Sequence, residues 1–467
     1  MPAYKRQHYV PISYLLHFST NDYIQAYNLR TKKINSMNCK DICAKDYFYS
    51  RIPEGERAFS QLESEGNRII SKIIVENNLS KITEQDYCIL LFFISFQHSR
   101  TLSEKQKAEQ FSNGFFEYFF RSFIEMNLEN FKEKGIEKAY LDKCSITVNG
   151  PSHAFAMKSA MERGPFWILD LKPILFINGT KRDYIISDSP IVLYNSFFNN
   201  PEGHFLFPFS STTGLQSPGL QIFWPLDAKH MLVLYDSKFY NFGANSMGFA
   251  EIHFEEDIDA LNSLQFFNCS DNILFVDRLQ EENIRLLHSK YELLINKEYH
   301  KIDTMKRTKS NGQESEIVIN SSRDIDYHLS LSFMHFNPNA KAIGMARDYD
   351  IVNFVNQHFK DEKEQFDRLF YLGEFTITAE ADRILFSEKP KENLLDLLKR
   401  HVSGDWGEVG QEEKDRNDRA IEDGSRILSA YTLSTGNRIL ILTEAANELG
   451  HREITRILTS ENFDLNQ

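Results

Sequence analysis

Five polar residues in the first half of the chain have the types needed for acid–base chemistry. His8 lies in an extended stretch near the start, and Glu63 lies on a predicted helix. Gln97 and Arg100 lie near the end of a second predicted helix, where a spacing of three places them on one face. Asp188 ends a buried strand, which fixes its position while the following loop exposes it. If these side chains met in a cleft, they would suit chemistry on a phosphodiester or a nucleotide.

Two of these residues also have structural interpretations. Asp188 precedes Ser189 and Pro190, and an aspartate in such a turn hydrogen-bonds the backbone two residues further on. His8 precedes Pro11, which restricts the local backbone, and could be a hydrogen-bonded histidine of the core. The pattern alone leaves both interpretations open.

The segment RDIDYH, Arg323 to His328, is another candidate. An arginine followed by a histidine five positions later resembles the catalytic motif of HEPN ribonucleases. In that family the two side chains act on an RNA 2′-hydroxyl and the scissile phosphate. The motif lies on a helix there, whereas the sequence IVINSSRDIDYHLSLSFMHF alternates as strands do.

The chain has no strong catalytic signature: no P-loop, GxSxG, HExxH or glycine-rich dinucleotide loop is present. Cys39 and Cys43 lack a second ligand pair, so the sequence does not predict a zinc site. The 5 cysteines are odd in number and mostly far apart, which favours reduced thiols over disulfides. A divalent metal as a cofactor stays an open alternative.

Composition and charge exclude several classes of protein. The 467 residues, 42% hydrophobic and 13% aromatic, predict a globular protein with roughly two to four domains. The net charge of −13 argues against wide nonspecific duplex binding but allows a local basic groove. Pro11, Ser13 and His17 interrupt the apolar opening, so we expect it to belong to the fold and not to a signal peptide. No run is long enough to predict a membrane span, and a cytoplasmic location is expected.

The elements that must position the candidates form an α+β protein. Residues 1–300 are predicted to contain a helical half, about 50–150, followed by a mixed or antiparallel sheet, about 151–300. Residues 301–368 are a predicted linker and connector, and 369–467 are a small α+β domain with a β-hairpin. The turn TGN between ILSAYTLS and NRILILTEA is the strongest hairpin signal.

Three helices are predicted in the helical half. The first runs from about Arg57 to Leu79, and the second begins after Thr83, with Asp86 completing a capping box. The third covers about 103–134, and its broad stripe of Phe and Tyr is predicted to be core.

Several motifs of the first region together resemble one bacterial family of unknown function, DUF4238. KRQHYVPISYLLHF is similar to the family's opening His-Tyr-Val-Pro-x-x-Tyr-Leu, FFISFQHSRT to its helix ending in Gln-x-x-Arg-Thr, and YIISDSPIVL to its strand ending in Ser-Asp-x-Pro. FWPLDAKHMLVL and ALNSLQFFNC also match in order and spacing, and the resemblance covers about 300 residues. The sequence departs from the family's pattern at Trp224, at Asp227 in place of Ser, and at Ser189 in place of Asn.

The resemblance implies a function as well as a fold. Members of the family occur as single-gene antiphage defence systems, often carried by mobile elements. The implied partner is a phage-derived trigger, either protein or nucleic acid. A nucleic acid and a nucleotide are the open alternatives for the substrate. The residues that fall in the family's motifs, and are implied to form the site, are His8, Glu63, Gln97, Arg100 and Asp188.

The tail resembles a second group, small plasmid-borne proteins that carry Arg-His-x-x-Gly-Asp-Trp-Gly. Its residues His401, Asp405, Glu408 and Asn417 could line a small polar site or belong to a structural loop, with Trp406 as a loop anchor.

Two functional hypotheses follow. The first is an antiphage effector of the abortive-infection type, a nuclease or a nucleotide-acting enzyme regulated by its tail. The second is a nonenzymatic protein that senses or blocks a phage component. Self-association is left open in both.

Overall fold

The computed structural model describes residues 6–48, 53–127, 152–199, 212–245, 247–295, 300–308, 314–322, 327–340, 347, 369–370, 372, 374–388, 390–392, 394–447 and 452–460. The chain forms two compact units, Met1–Asn353 and Phe354–Gln467. Both contain helices and sheets, which confirms the predicted α+β class. Across these ranges, no helix has the length and apolar character needed to span a bilayer.

The first unit contains seven described helices and fifteen strands. The helices are α1 (Ile12–Leu15), α2 (Pro53–Glu76), α3 (Glu84–Ser99), α4 (Leu102–Met126), α5 (Ser152–Trp167), α6 (Glu255–Asn268) and α7 (Glu281–Tyr291). The strands are β1 (Arg6–His8), β2 (Tyr23–Asn28), β3 (Ile34–Asn38), β4 (Ala44–Asp46), β5 (Lys172–Asn178), β6 (Ile186–Ser187), β7 (Val192–Tyr194), β8 (Gln221–Pro225), β9 (His230–Tyr235), β10 (Tyr240–Asn241), β11 (Phe249–Ile252), β12 (Asn272–Phe275), β13 (His300–Thr308), β14 (Glu314–Ser322) and β15 (His335–Phe336).

Two sheets form the centre of the first unit. One has the order β11-β5-β9-β8-β7, with β11 parallel to β5 and the other neighbours antiparallel. The second is antiparallel, in the order β3-β2-β12-β6. Strand β12 therefore joins the N-terminal hairpin β2–β3 to β6, the strand that leads to Asp188. The predicted mixed and antiparallel pairing is confirmed.

One apolar core joins the N-terminal segment, helices α2 and α3, and the five-stranded sheet. Trp224 is fully buried there, with its ring 5.5 Å from that of Phe93 and 6.0 Å from that of Tyr14. Helices α2 and α3 approach closely at Gly66, where a Cβ atom would lie 2.6 Å from the Phe93 ring. Burial of each large side chain contributes about 1.5–3 kcal/mol, so this core fixes the two helices that carry Glu63, Gln97 and Arg100.

Helix α3 begins as the sequence predicts. The Thr83 side chain accepts a hydrogen bond from Asp86 N, and the Asp86 carboxylate accepts one from Thr83 N. This capping box satisfies two backbone donors at the start of the helix. The helix then runs to Ser99, so that Gln97 and Arg100 lie at its C-terminal end.

Three segments differ from the sequence-based prediction. Helix α5 lies in the region that was predicted to be sheet. The prediction took the apolar run FWILD as the start of a strand, but Phe166 and Trp167 are the last residues of a helix that packs on α3. The predicted linker from residue 301 begins instead with the hairpin β13–β14. Its sequence is polar, but strand pairing uses backbone groups, and β-branched residues in both strands favour the extended chain. Residues 327–340 of the predicted connector place Leu329, Leu331 and Met334 in an apolar core.

The aromatic stripe of α4 is also placed differently from the prediction. The described part of the helix ends at Met126, and its six phenylalanines from Phe111 to Phe123 are 39% to 57% exposed. Ile124, next to this face, is buried. The prediction that the stripe is core is wrong for these residues, because helical periodicity shows that one face is apolar but not what covers it.

The second unit is a small α+β fold. Its strands are β16 (Glu374–Ile377), β17 (Ile427–Thr432), β18 (Arg438–Thr443) and β19 (Ile454–Thr459). Its helices are α8 (Ala379–Asp382), which continues into a π-helical turn (Arg383–Ser387), α9 (Leu394–Val402) and α10 (Gln411–Asp423). The sheet order is β16-β19-β18-β17, with only β16 and β19 parallel among these strands. The predicted hairpin is confirmed as β17–β18, and Gly436 in its turn has a φ of 85° that favours glycine.

Candidate functional site

The opening His-Tyr-Val-Pro stretch forms one wall of a polar cluster. Strand β1 pairs antiparallel with β4, with His8 opposite Ala44. Tyr9 and Val10 are buried, and Pro11 ends the strand before α1 begins. These buried neighbours anchor the strand, and His8 itself is half-buried.

Glu63, Arg100 and Gln97 form a continuous hydrogen-bonded chain that ends on β1. Arg100 Nη1 donates to Glu63 Oε1 at 2.5 Å, and Arg100 Nε donates to Gln97 Oε1 at 2.9 Å. Gln97 Nε2 in turn donates to the carbonyl oxygen of Tyr9 at 3.0 Å. The predicted common face of Gln97 and Arg100 is thus observed, and the structure brings in Glu63 from a separate helix.

Arg100 is the electrostatic centre of this cluster. Its side chain is fully buried, whereas that of Glu63 keeps 25% of its surface exposed. The guanidinium also lies over the Phe96 ring, 4.4 Å from the centroid. Among the described residues, Nη2 has no hydrogen-bond partner. A buried cation with one carboxylate and a donor to spare can bind a further oxygen acceptor.

His8 is held in one tautomer. Its Nε2 lies 3.1 Å from the carbonyl oxygen of Lys40, which can only accept, so the proton is on Nε2 and the lone pair on Nδ1. Burial lowers the pKa of His8, with Arg6 and Arg100 adding to that effect and Glu63 opposing it. The imidazole is therefore neutral at physiological pH and suited to accept a proton.

Asp188 has a different environment from the other four residues. Its carboxylate is fully buried and accepts three backbone N–H groups, from Ser270 at 2.8 Å, Asp271 at 2.7 Å and Asn272 at 3.1 Å. Burial raises the pKa of Asp188 to about 6, although the three N–H groups favour the ionised form. The pKa of Tyr9 is raised mainly by burial, and Cys43 and the charge of Asp188 add to that effect.

Asp188 has a structural role, but its hydrogen-bond partners are not those that the turn interpretation predicts. The local turn bond is made by the Ser187 hydroxyl, which accepts from Ser189 N at 3.2 Å. Asp188 instead ties the end of β6 to the loop that precedes β12, more than eighty residues away. The structure therefore places Asp188 as a structural anchor close to β1, and not in hydrogen-bond contact with Glu63, Gln97 or Arg100.

Two further basic residues of this region carry no clear sequence signal. Lys105 Nζ donates to the carbonyl oxygen of Phe48 at 3.2 Å and lies 4.7 Å from the centroid of the Phe48 ring. His153 is buried, with Nε2 2.9 Å from the carbonyl oxygen of Ser99, and burial lowers its pKa to about 4. The Phe48 ring lies 5.0 Å from Tyr9 and 5.5 Å from His153. Lys105 lies in the first turns of α4, and His153 lies on α5, which the sequence analysis did not predict.

Asp86 fixes α2 against α3 and so positions Glu63 relative to Arg100. Its carboxylate oxygens accept from Arg68 Nη2 and Lys72 Nζ, both at 2.8 Å and both from α2. These bonds to Lys72 and Arg68 hold the pKa of Asp86 far below its ordinary value of 3.8. Because the folded-state pKa is lowered, the stabilisation is fully present above about pH 4 and is lost as pH falls below it.

We expect Asp86→Asn to lower the free energy of unfolding by about 1–3 kcal/mol at neutral pH, since it removes charged hydrogen bonds. Acid should diminish that difference between variant and wild type. Urea unfolding at several pH values measures both effects. Glu281→Gln, which breaks an exposed pair with Arg285, is the control. A deficit of Asp86→Asn that stayed constant down to pH 2 would contradict this account.

The polar tail residues of the second unit are hydrogen-bonded to other residues of that unit. His401 is fully buried, with Nδ1 2.5 Å from Ser429 Oγ and Nε2 2.9 Å from Thr443 Oγ1, and burial lowers its pKa to about 3. Asn417 bonds both the N–H and the carbonyl of Leu428. These contacts hold α9 and α10 on the sheet.

The loop between α9 and α10 is held in the same way. Asp405 accepts from Arg400 Nε at 2.7 Å and Gly407 N at 3.1 Å, and Glu408 accepts from the Thr432 hydroxyl. Trp406 is buried, and its Nε1 donates to Asp418 at 2.8 Å, as expected of a loop anchor. Of the two interpretations of these tail residues, the structure favours the loop.

The two remaining candidates have little structural support. Residues 323–326 of the HEPN-like segment, Arg323 among them, lie outside the described residues, and His328 lies in irregular chain after β14. Cys39 and Cys43 are buried free thiols. Within the ranges that the structure describes, no three His, Cys, Asp or Glu side chains are grouped to hold a metal ion.

A family model described as "Protein of unknown function (DUF4238)" matches residues 6–278, which is more than half of the 467-residue chain. This chain belongs to the DUF4238 family. The DUF4238 match includes all five residues predicted from the motifs, from His8 to Asp188. No curated protein matches the chain, and no solved structure does.

Within the DUF4238 region, two of the three departures from the family's motifs have structural explanations, and nothing in the structure explains Ser189. Trp224 fills the core between Tyr14 and Phe93. Asp227 accepts from the backbone N–H groups of Lys229 and His230 and closes the turn between β8 and β9. These two changes are therefore accommodated by packing and turn formation.

Proposed function

We propose that the first unit is the effector of an antiphage defence protein and acts on a nucleic acid or a nucleotide. One arrangement supports this most: the buried Arg100 guanidinium held by Glu63 and Gln97, with neutral His8 within its electrostatic range. A cation that binds a phosphate oxygen and a neutral imidazole that accepts a proton are two groups that favour phosphodiester chemistry. The resemblance of the motifs to defence proteins supports the biological setting.

In the proposed reaction, Arg100 binds a phosphate oxygen of the substrate and offsets the charge that develops in the transition state. His8 accepts at Nδ1 the proton of the attacking hydroxyl group. That oxygen bonds to phosphorus, the bond from phosphorus to the leaving oxygen breaks, and the leaving oxygen takes up a proton from water. Glu63 and Gln97 are positioning residues, because they hold the guanidinium. Asp188 is a structural anchor of the neighbouring loop.

The second unit is the proposed regulator. It resembles the small plasmid-borne proteins with Arg-His-x-x-Gly-Asp-Trp-Gly, and its buried polar residues are engaged in structural contacts. In this proposal it responds to a phage-derived protein or nucleic acid and releases the effector, and the infected cell stops growing before phage is produced. The nuclease and toxin roles belong to this same proposal.

The test is a comparison of the wild type with His8→Gln. Glutamine places an amide N–H near the position of Nε2, so it can keep the bond to the Lys40 carbonyl, but it lacks the base at Nδ1. Purified protein is incubated with RNA, single- and double-stranded DNA and nucleotides, with Mg²⁺ or with EDTA. We expect turnover of one substrate class, and a rate about 10²–10⁴-fold lower in His8→Gln.

Plaque assays in cells that carry each variant connect the chemistry to defence. His253→Asn, at an exposed histidine of the same unit, is the matched control and should protect as the wild type does. Melting temperatures show whether each variant is folded. Full turnover and full protection by a folded His8→Gln would remove His8 from the site and with it the proposed mechanism.

The alternative is a nonenzymatic protein that senses or blocks a phage component. It is favoured by the deep burial of Gln97, Arg100 and Asp188, each of which is at most 1% exposed, as in a structural network. Protection without turnover of any substrate, in cells whose RNA and DNA stay intact after infection, would favour this function over the enzyme.

A further inference from the structure

Arg347, a residue of the connector, is buried against the first unit. The family match ends at residue 278, so this arginine comes from outside the matched region. Its side chain is 3% exposed, and its Nε and Nη2 atoms donate to the two carboxylate oxygens of Asp170, at 2.8 Å and 2.9 Å. Paired hydrogen bonds of this kind fix the orientation of a guanidinium as well as its position.

The same guanidinium binds the C-terminal end of α5. Its Nη2 donates to the carbonyl oxygen of Trp167, the last residue of the helix, where a cation also interacts favourably with the helix dipole. Nη1 donates to the carbonyl oxygen of Ser217 at 3.0 Å, and the backbone N–H of Arg347 donates to that of Gln216 at 2.6 Å. Arg347 therefore ties the connector to α5 and to the loop that precedes β8.

The last turn of α5 is weak by itself. It contains Gly164, a residue of low helix propensity, followed by Pro165. Proline has no N–H group, so the helix loses one of its hydrogen bonds there. Because Arg347 supplies a donor to the end of this turn, its removal should open the C-terminal end of α5 before the rest of the unit.

Helix α5 packs on the half of α3 that leads to Arg100. Near the C-terminal end of α5, a Cβ atom on Gly164 would lie 2.8 Å from Ser95 Oγ. Near its N-terminal end, His153 Nε2 lies 2.9 Å from the carbonyl oxygen of Ser99. Helix α5 thus contacts the residue next to Arg100, whose side chain is fully buried. A guanidinium without exposed surface cannot meet a substrate from solution in this conformation.

We propose that Arg347 is the latch of an autoinhibited state, in which α5 is held on α3 and Arg100 is shielded from substrate. When Arg347 leaves Asp170, the C-terminal end of α5 is freed and the helix moves away from the end of α3. The second unit begins at Phe354, seven positions after Arg347, so a change in that unit can act on the latch through the connector. This regulation rests on the proposed function, which assigns phosphate binding to Arg100.

Arginine-selective labelling tests the latch without any need for turnover. The full chain is treated with phenylglyoxal, and the labelled peptides are quantified by mass spectrometry. We expect Arg100 to react at least about tenfold faster in Arg347→Ala and in Asp170→Asn than in the wild type, because each change breaks a buried ion pair and favours local opening. Arg182→Ala breaks an ion pair with Glu255 elsewhere in the unit and is the matched control, in which Arg100 should react as in the wild type.

Hydrogen exchange separates a local latch from a general loss of stability. The backbone amides of α5 should exchange at least about tenfold faster in both latch variants, while those of the central strand β9 keep the wild-type rate. Wild-type labelling of Arg100 in both Arg347→Ala and Asp170→Asn would overturn the proposal. An increase in exchange shared equally by α5 and β9 would also overturn it, since Arg347 would then be a general stabiliser.

Turnover tests the inhibitory direction of the latch. On a substrate that the wild type converts, Arg347→Ala should be faster in the absence of any phage component, and a slower folded variant would contradict the inhibition. If neither protein converts RNA, DNA or nucleotides, the proposed function fails. Labelling and exchange would then still decide whether Arg347 controls access to Arg100.

Discussion

Replacing Asp188 by alanine is expected to lower the free energy of unfolding of the first unit by at least about 3 kcal/mol, because three buried N–H groups lose their acceptor at once. The donors are the backbone groups of residues 270–272, which face the carboxylate at 2.7–3.1 Å. Asp188→Asn should cost less, since one amide oxygen can still accept while its NH₂ group opposes one donor. The order of stability is therefore wild type, Asn, then Ala.

Tryptophan fluorescence in a Trp406→Phe background isolates the relevant unit. Of the 3 tryptophans, Trp167 and Trp224 lie in the first unit, so urea unfolding then reports that unit alone. Asp277→Ala is the matched control, because Asp277 also accepts a backbone N–H, from Leu279 at 3.0 Å, but is exposed. A wild-type unfolding curve for Asp188→Ala would show that the three N–H groups find other acceptors.

This prediction changes how a defence phenotype should be interpreted. Loss of protection in Asp188→Ala would follow from unfolding and would not place Asp188 in a catalytic site. His8, half-buried on β1, is the better probe of chemistry because its replacement by glutamine can preserve the bond to Lys40.

The second large effect is expected at the buried ion pair. Glu63→Gln should destabilise the first unit by about 3–5 kcal/mol, because it leaves the fully buried Arg100 guanidinium without its carboxylate. Arg100→Met should lower the free energy of unfolding by less than Glu63→Gln does. The carboxylate that it leaves unpaired, Glu63, is 25% exposed and can be hydrated. The double variant Glu63→Gln/Arg100→Met should be more stable than the sum of the single changes predicts.

A double-mutant cycle measures this coupling, which we expect to be about 1–3 kcal/mol. The exposed pair of Arg383 and Glu380 is the control cycle, for which little or no coupling is expected because solvent screens exposed charges. Strict additivity of Glu63→Gln and Arg100→Met would contradict the pairing. Stability and turnover should also separate, because His8→Gln alters the proton acceptor without disturbing the ion pair.

Local signals determined much of the fold. Thr83 and Asp86 define the start of α3 because a capping box depends on residues three apart. The TGN turn specifies the β17–β18 hairpin for the same reason, with Gly436 at positive φ.

Predictions failed where the outcome depended on distant partners. The apolar run FWILD begins with the last residues of a helix that packs on α3, and the polar segment β13 pairs with β14. The α4 stripe was correctly placed on one face, but its exposure depends on what the rest of the unit leaves uncovered.

In the candidate site, too, some features follow from local sequence and others only from the tertiary structure. The sequence by itself determined that Gln97 and Arg100 share a face, since helix geometry fixes that from their spacing, and the motifs determined the family. Only the tertiary structure decided that Glu63 pairs with Arg100, that Gln97 reaches the Tyr9 carbonyl, and that Asp188 binds the loop at residues 270–272. These contacts join residues that are 37 to 88 positions apart in the sequence. The physical reason is that such pairs are set by the packing of whole helices and sheets against one core, which no local pattern encodes.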